Sequence, residues 1–475
     1  MTTPSLAPAA SATLPSAHAS PWPTFWIACI AVFLVSIDST VLFAAFGALQ
    51  LAFPEATPAD LSWVLNAYTV VYATMLIPAG GLADAHGRKR VFMIGVTLFL
   101  AASAACGMAG SVGMLIAARV VQALGAALLT PASLSIILDA FPKEKRTVAI
   151  SLWSAVGGLA AAIGPSLGSS IVDYLGWPWA FYINLPLGAV SLWFGASRLR
   201  EAKAGTRKHR VDIVGMLLLI VAVGAAAMAI TQADSPHWSR LELAALGGAS
   251  VIAFGSFIAW ARNSTAPLVD LALFANRSYS AVNLATLAFG TAFAMMFFAF
   301  FAYLTGVWHY SLPAAGVAVT PGPLMVVPTA IITGRIAARI GYRPVLVFGS
   351  LVYAAAGLWM LLVPGSEPAY ATHWLPGLIL SGLGVGMILP SLSGAAVTGL
   401  PPAQYAVGSA VNQAIRQLGS VLGVAITVLL VGHAVLTRAD FLPMYWIQIA
   451  LALVTGALCL SVHASRAAPA GAARA

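Results

Sequence analysis

Fourteen runs of apolar residues, each long enough to cross a hydrocarbon core of ~30 Å, dominate this chain of 475 residues. The first covers 24–48 and the last 443–463; the sixth and tenth cover 179–196 and 314–334. Each run is continuously apolar rather than alternating, which selects helices over a β-barrel as the spanning element. Only 8% of the residues are charged, against about 25% in soluble proteins. The expected architecture is an all-α polytopic membrane protein. Residues 1–22 are rich in Ala, Ser and Pro and lack the basic region of a signal peptide. They read as a disordered cytoplasmic tail.

The formal net charge of +9 would suit a nucleic-acid partner, but its placement argues against one. With the N-terminus in the cytoplasm, every Lys and Arg but four falls in the turns after runs 2, 4, 6, 8 and 10 or in the C-terminal tail. Arg240 and Arg438 lie on the opposite side, and Arg119 and Arg416 lie within the membrane. This bias is the positive-inside pattern, with both termini cytoplasmic, and it accounts for the charge without nucleic acid. The turn Gly80 to Gly87, followed by Arg88, recurs as Gly334 to Gly341, followed by Tyr342 and Arg343. Runs 1–6 then match runs 9–14 as two halves. The expected boundaries are a lobe at 23–197, a basic loop with two inserted helices at 198–278, a second lobe at 279–463 and a tail at 464–475.

Asp38 is the acidic residue placed deepest in an apolar run. A carboxylate in hydrocarbon costs about 2.5 kcal/mol or more unless it is neutralised or solvated, which makes it a functional candidate. Arg119 is also intramembrane, with Gln122 three residues on and hence on the same helix face. A guanidinium at that depth must point at protein or at a water-filled cavity. Asp84 and Arg88 are four apart and are read as pairing across one helical turn; with Gly87 and Asp139 they form a candidate latch on the cytoplasmic face. Gly164, Pro165 and Gly168 give run 5 a smooth, kinkable face suited to a seam between halves. Tyr68, Trp153, Phe297, Phe301, Asn412 and Arg416 are candidate cavity residues.

Other chemistries find no support. The eight histidines and three cysteines are scattered without metal-ligand spacing. No Lys precedes Ser or Thr, so the phosphate-binding loop of an ATPase is absent. No catalytic constellation, metal or cofactor is expected, and the chain is read as no enzyme.

Gly80–Arg90, GGLADAHGRKR, resembles the loop signature of the major facilitator superfamily. RVVQALGAA from Arg119, GPSLGSS from Gly164, DSTVLFAAF from Asp38, WPWAFYINLPLG from Trp177 and AVNQAIRQLGSVLGVA from Ala410 resemble, in the same order, motifs of its 14-helix drug:proton antiporter branch. The resemblance implies two six-helix lobes plus two inserted helices, with helices 1 and 4 lining a central cavity. It implies a secondary transporter of the cytoplasmic (inner) membrane, exporting drug-like or amphiphilic small molecules against protons by alternating access. Asp38 would carry the proton with Arg119 and Gln122, and substrate, protons and lipid would be the partners. The alternative is proton-coupled transport of an endogenous metabolite such as an organic acid; a non-transporting membrane sensor ranks last.

Overall fold

The computed structural model describes residues 20–142, 145–199, 201, 211–233, 238–398, 400, 401, 404–432 and 435–462. The side chains of Asp84, Arg146, Thr147, Val148, Ser151, Ser154 and Ala406 also lie outside the description. So do nearly all of the two expected tails and most of the basic loop, at 202–210.

The first seven helices are α1 (Trp22–Ala52), α2 (Pro58–His86), α3 (Arg88–Gly107), α4 (Val112–Ala140), α5 (Arg146–Leu175), α6 (Trp179–Tyr182) and α7 (Asn184–Arg198). Then come α8 (Ile213–Thr231) and α9 (Arg240–Asn263). The remainder are α10 (Arg277–Gly306), α11 (Leu312–Val319), α12 (Pro321–Ile340), α13 (Tyr342–Leu362), α14 (Leu375–Thr398), α15 (Tyr405–Val431) and α16 (Arg438–Cys459). Among the described residues, thirteen helical stretches are long and apolar enough to cross a membrane. The sixth expected run supplies the fourteenth: it is split into α6 and the 15-residue α7, joined through Ile183. The tenth is longer than expected, because α11 and α12 together extend from Leu312 to Ile340.

Local signals set the helix ends. Thr57 and Asp60 form a capping box at the start of α2, with Asp60 N–H donating to Thr57 Oγ1 at 3.1 Å and Thr57 N–H to Asp60 Oδ2 at 3.0 Å. Ser239 and Glu242 repeat the device at α9. Gly87 and Gly341, the repeated turn glycines, have φ of 99° and 89° and separate α2 from α3 and α12 from α13. A side chain is strained there, which is why glycine ends both helices. α2 stops at His86, so Asp84 and Arg88 stand on either side of a glycine turn.

Within the first group, α4 packs on α2 and α3, and α1 packs on α4, α5 and α7. In the second, α10 packs on α15, α16 and α14, and α13 on α14 and α16. The groups meet through α2 against α15 and α5 against α11 and α12. α8 lies against both α2 and α15, and α9 packs chiefly on α8. Large apolar side chains such as Leu217, Val221, Val251 and Phe254 point outward on this pair, as helices facing lipid require.

Candidate functional site

Asp38 sits near the middle of α1 and is 2% exposed. Its Oδ2 accepts from Arg119 Nη1 at 2.6 Å; its Oδ1 accepts from Gln122 Nε2 at 2.8 Å and from Asn184 Nδ2 at 3.0 Å. Arg119 is 1% exposed and spends its other donors nearby, Nη1 on Gln122 Oε1 at 2.6 Å and Nε on Val64 O at 3.0 Å. Its guanidinium lies 4.0 Å from the centroid of the Tyr68 ring, a cation–π contact. Ser103 Oγ accepts from Gln122 Nε2 at 2.8 Å and from Asn184 Nδ2 at 3.3 Å. Five helices thus converge on one buried carboxylate. A buried ion pair survives only when further hydrogen bonds satisfy both ions, and each of these bonds contributes to that condition.

The three residues expected together, Asp38, Arg119 and Gln122, are in direct contact. Two were missed. Asn184 was passed over inside the WPWAFYINLPLG motif, although an amide in an apolar run is a visible signal. Its Oδ1 is buried without a partner. Ser103 carries no signal that separates it from any other small helix residue.

At the end carrying the basic turns, Arg88 forms an ion pair with Asp139 and its Nη1 also reaches Ser135 O at 3.4 Å. The Asp84 side chain, also expected in this latch, lies outside the described residues. A third acid does take part, and no motif had marked it. Glu201 accepts from the backbone N–H of Lys89 and Arg90, both at 3.0 Å. That places a carboxylate on the N-terminus of α3, where the helix dipole favours it. A Cβ on Gly87 would meet Glu201 Oε1 at 2.6 Å, so glycine serves the cap as well as the turn.

α5 is held between two partners. A Cβ on Gly168 would meet Val41 Cγ1 at 2.8 Å, and one on Gly164 would collide with Thr40, so both glycines admit α1 within one or two turns of Asp38. The adjacent Pro165 carbonyl and Ser169 face Gly316 of α11, in the other half.

A cavity of about 480 Å³ opens between the halves at the end away from the basic turns. Its walls include Phe43, Phe46, Gly47 and Gln50 of α1, Phe298, Phe301 and Thr305 of α10, and Val428 of α15, with His309 at the mouth. The six expected cavity residues fall in different surroundings. Of the six candidates, Phe301 is on this wall. Phe297 is packed against Phe43, ring centroids 5.4 Å apart. Tyr68 faces Arg119 inside the first half. Trp153 donates to Ser133 Oγ at 3.2 Å. Asn412 is buried and donates to Asn283 Oδ1 and Thr286 Oγ1 at 3.0 and 2.9 Å. Arg416 lies on α15, which packs against α2, and is not on this wall. Helix 4 does not line the cavity either, and the reason is rotational. Asp38 and Gly47 are nine residues apart, roughly 180° around a helix, so α1 turns its ion pair to the lobe core and its other face to the cavity.

The all-helical span pattern, paired lobes and buried ion pair define a multi-pass membrane protein with an internal polar site. Residues 28–424 and 282–474 match the family model described as Major Facilitator Superfamily. The chain is 32% identical to the Tetracenomycin C resistance and export protein of Streptomyces glaucescens, covering 90% of this chain and 78% of that one. It is 32% identical to the Multidrug resistance protein Stp of Mycobacterium tuberculosis, covering 84% and 73%. With the Multidrug export protein EmrB of Escherichia coli it shares 30% identity over 84% and 78%. Among solved structures it superposes on a peptide transporter POT in complex with sulfate, with a TM-score of 0.67 and 18% identity over 93% of this chain and 94% of that one. A D-xylose-proton symporter gives 0.67 and 13% over 94% and 98%. The chain belongs to the Major Facilitator Superfamily and is a membrane transporter of that family.

Proposed function

We propose that this protein is a proton-coupled antiporter that exports drug-like or amphiphilic small molecules across the cytoplasmic membrane, with both termini in the cytoplasm. The names of its relatives support the cargo. The observation that carries the proton is the carboxylate of Asp38, fully buried at mid-span and bonded to Arg119.

Oδ2 is paired to Arg119 and Oδ1 accepts from two amides in this arrangement. Protonation of Asp38 removes the charge that holds Arg119 Nη1 and so favours its displacement. Displacing it frees a cation at the root of the α1–α4 contact and loosens the lobe that α5 ties to α11. Rocking of two lobes around a midplane site then couples the proton to cargo, because proton and cargo favour different states. The latch at Arg88, Asp139 and Glu201 would hold the cytoplasmic end of one such state.

Purified protein in proteoliposomes tests this. A panel of cationic ethidium, a neutral anthraquinone and 2-naphthoate is followed under an imposed pH gradient. Gradient-driven efflux of at least one compound is expected from the wild type and none from Asp38→Asn, which still inserts. Equal gradient-driven efflux by the two proteins refutes the assignment.

A further inference from the structure

Arg416 lies within the membrane-spanning α15, and its surroundings differ sharply from those of Arg119. Its Nε reaches Gln413 Oε1 of its own helix at 3.4 Å, a long bond. Among the described residues it makes no ion pair, and its two Nη groups have no hydrogen-bond partner. A guanidinium in a bilayer must meet an anion, backbone carbonyls or a water-filled cavity. Arg119 meets an anion of the protein; Arg416 does not. It is half-buried on α15, which packs against α2.

One face of α10 supplies the rest of a binding surface. A Cβ on Gly290 would meet the Arg416 carbonyl oxygen at 2.6 Å, which places this turn of α10 beside Arg416. From there Phe293, Phe297 and Phe301 recur every four residues, ring centroids 6.0 and 6.5 Å apart, and Phe301 reaches the cavity wall. Eight residues of helix span about 12 Å. An aromatic row therefore leads from the level of Arg416 to the cavity, its middle ring, Phe297, covered by Phe43 in this arrangement.

We propose that Arg416 is the contact for the acidic group of the cargo, and that the preferred cargo is an aromatic organic anion, a carboxylate or phenolate whose rings lie along Phe293, Phe297 and Phe301. This rests on the export reading above. The planar fork of the guanidinium matches a carboxylate with two parallel bonds, which a lysine cannot reproduce. Cations are disfavoured at the same place by the uncompensated charge.

Equilibrium binding to the full-length protein in detergent tests the assignment. The probes are 2-naphthoate, its isosteric neutral amide 2-naphthamide, and 2-naphthyltrimethylammonium. Wild type is expected to bind the acid at least about tenfold more tightly than the amide, as a charge-assisted bidentate contact allows. Arg416→Gln should reduce that preference to under about threefold without weakening the ammonium probe, and Arg416→Lys should be intermediate. A monodisperse size-exclusion peak and a helical circular-dichroism spectrum matching wild type show that Arg416→Gln is folded. Should that variant not fold, the acid–amide comparison in wild type and Arg416→Lys decides. No measurable naphthoate binding, equal binding of acid and amide by wild type, or an unchanged preference in Arg416→Gln overturns the proposal. Gradient-driven efflux of ethidium together with equal acid and amide binding refutes the anion site alone. An acid preference without gradient-driven movement of any probe refutes the export reading instead.

Discussion

Neutralising one member of the Asp38–Arg119 pair should damage the fold far more than neutralising both. Asp38→Asn leaves acceptors for Gln122 and Asn184, but it turns an amide toward Arg119 Nη1 and removes the anion 2.6 Å away. Arg119→Gln removes bonds to Asp38, Gln122 and Val64 O and the contact with Tyr68. Breaking a buried pair on one side costs about 3–5 kcal/mol, because a charge is left uncompensated. For Arg119→Gln, protonation of the stranded acid limits the cost to the lower part of that range. In the double variant no charge remains, and only imperfect hydrogen bonding and packing are lost, about 1–2 kcal/mol. The two single costs therefore exceed the double by at least about 3 kcal/mol. Equilibrium unfolding of all four proteins by SDS in mixed micelles measures the cycle. Singles costing under about 1 kcal/mol each, or a double equal to their sum, would show that the pair is not electrostatically coupled.

The Arg88 and Asp139 side chains are 28% and 43% exposed, so Arg88→Ala should cost under about 1 kcal/mol of stability while slowing transport several-fold and leaving equilibrium binding within twofold; collapsed binding with unchanged turnover per bound cargo would remove the latch. Glu201→Ala should behave alike, since it uncaps α3 at the same corner. Asn184→Ala withdraws one donor from Asp38 and one from Ser103 and should destabilise by about 1–3 kcal/mol, read by the same SDS titration; a neutral result would make Asn184 a bystander. Gly316→Val pushes a branched side chain toward the Pro165 carbonyl and, at about 1–3 kcal/mol of overpacking, should hold the end away from the basic turns open. Labelling of a cysteine placed at Gly47, which faces the cavity with free space around it, should then be faster than in the parent; slower or equal labelling contradicts the seam.

The fold was readable because bilayer-length apolar runs leave few options, and the repeated Gly-containing turn marked the halves. Asp38, Arg119 and Gln122 were readable for a related reason, since charge and amide stand out against hydrocarbon. Asn184 joins Asp38 across 146 residues of chain, a contact no local pattern contains. Glu201 lies just past α7 and finds α3 through the tertiary fold alone. Helix rotation was the least readable property. Tyr68 and Trp153 belong to the core of the first lobe, while Phe43, Gln50 and Thr305 reached the cavity unannounced. A residue's identity says that it is apolar or aromatic; which neighbour its helix face meets is decided by packing.

The central claim is that Asp38 exchanges a proton for cargo, and the most direct measurement reverses the driving force. Proteoliposomes carrying a pH-sensitive dye are loaded with whichever panel compound the wild type moves, then diluted with no pH gradient imposed. Linkage requires that outward cargo flux draw protons inward. The wild type should acidify the lumen as cargo leaves, and Asp38→Asn should leave lumen pH unchanged even if it still exchanges cargo. Cargo flux without proton movement in the wild type, or wild-type acidification by Asp38→Asn, would contradict the account.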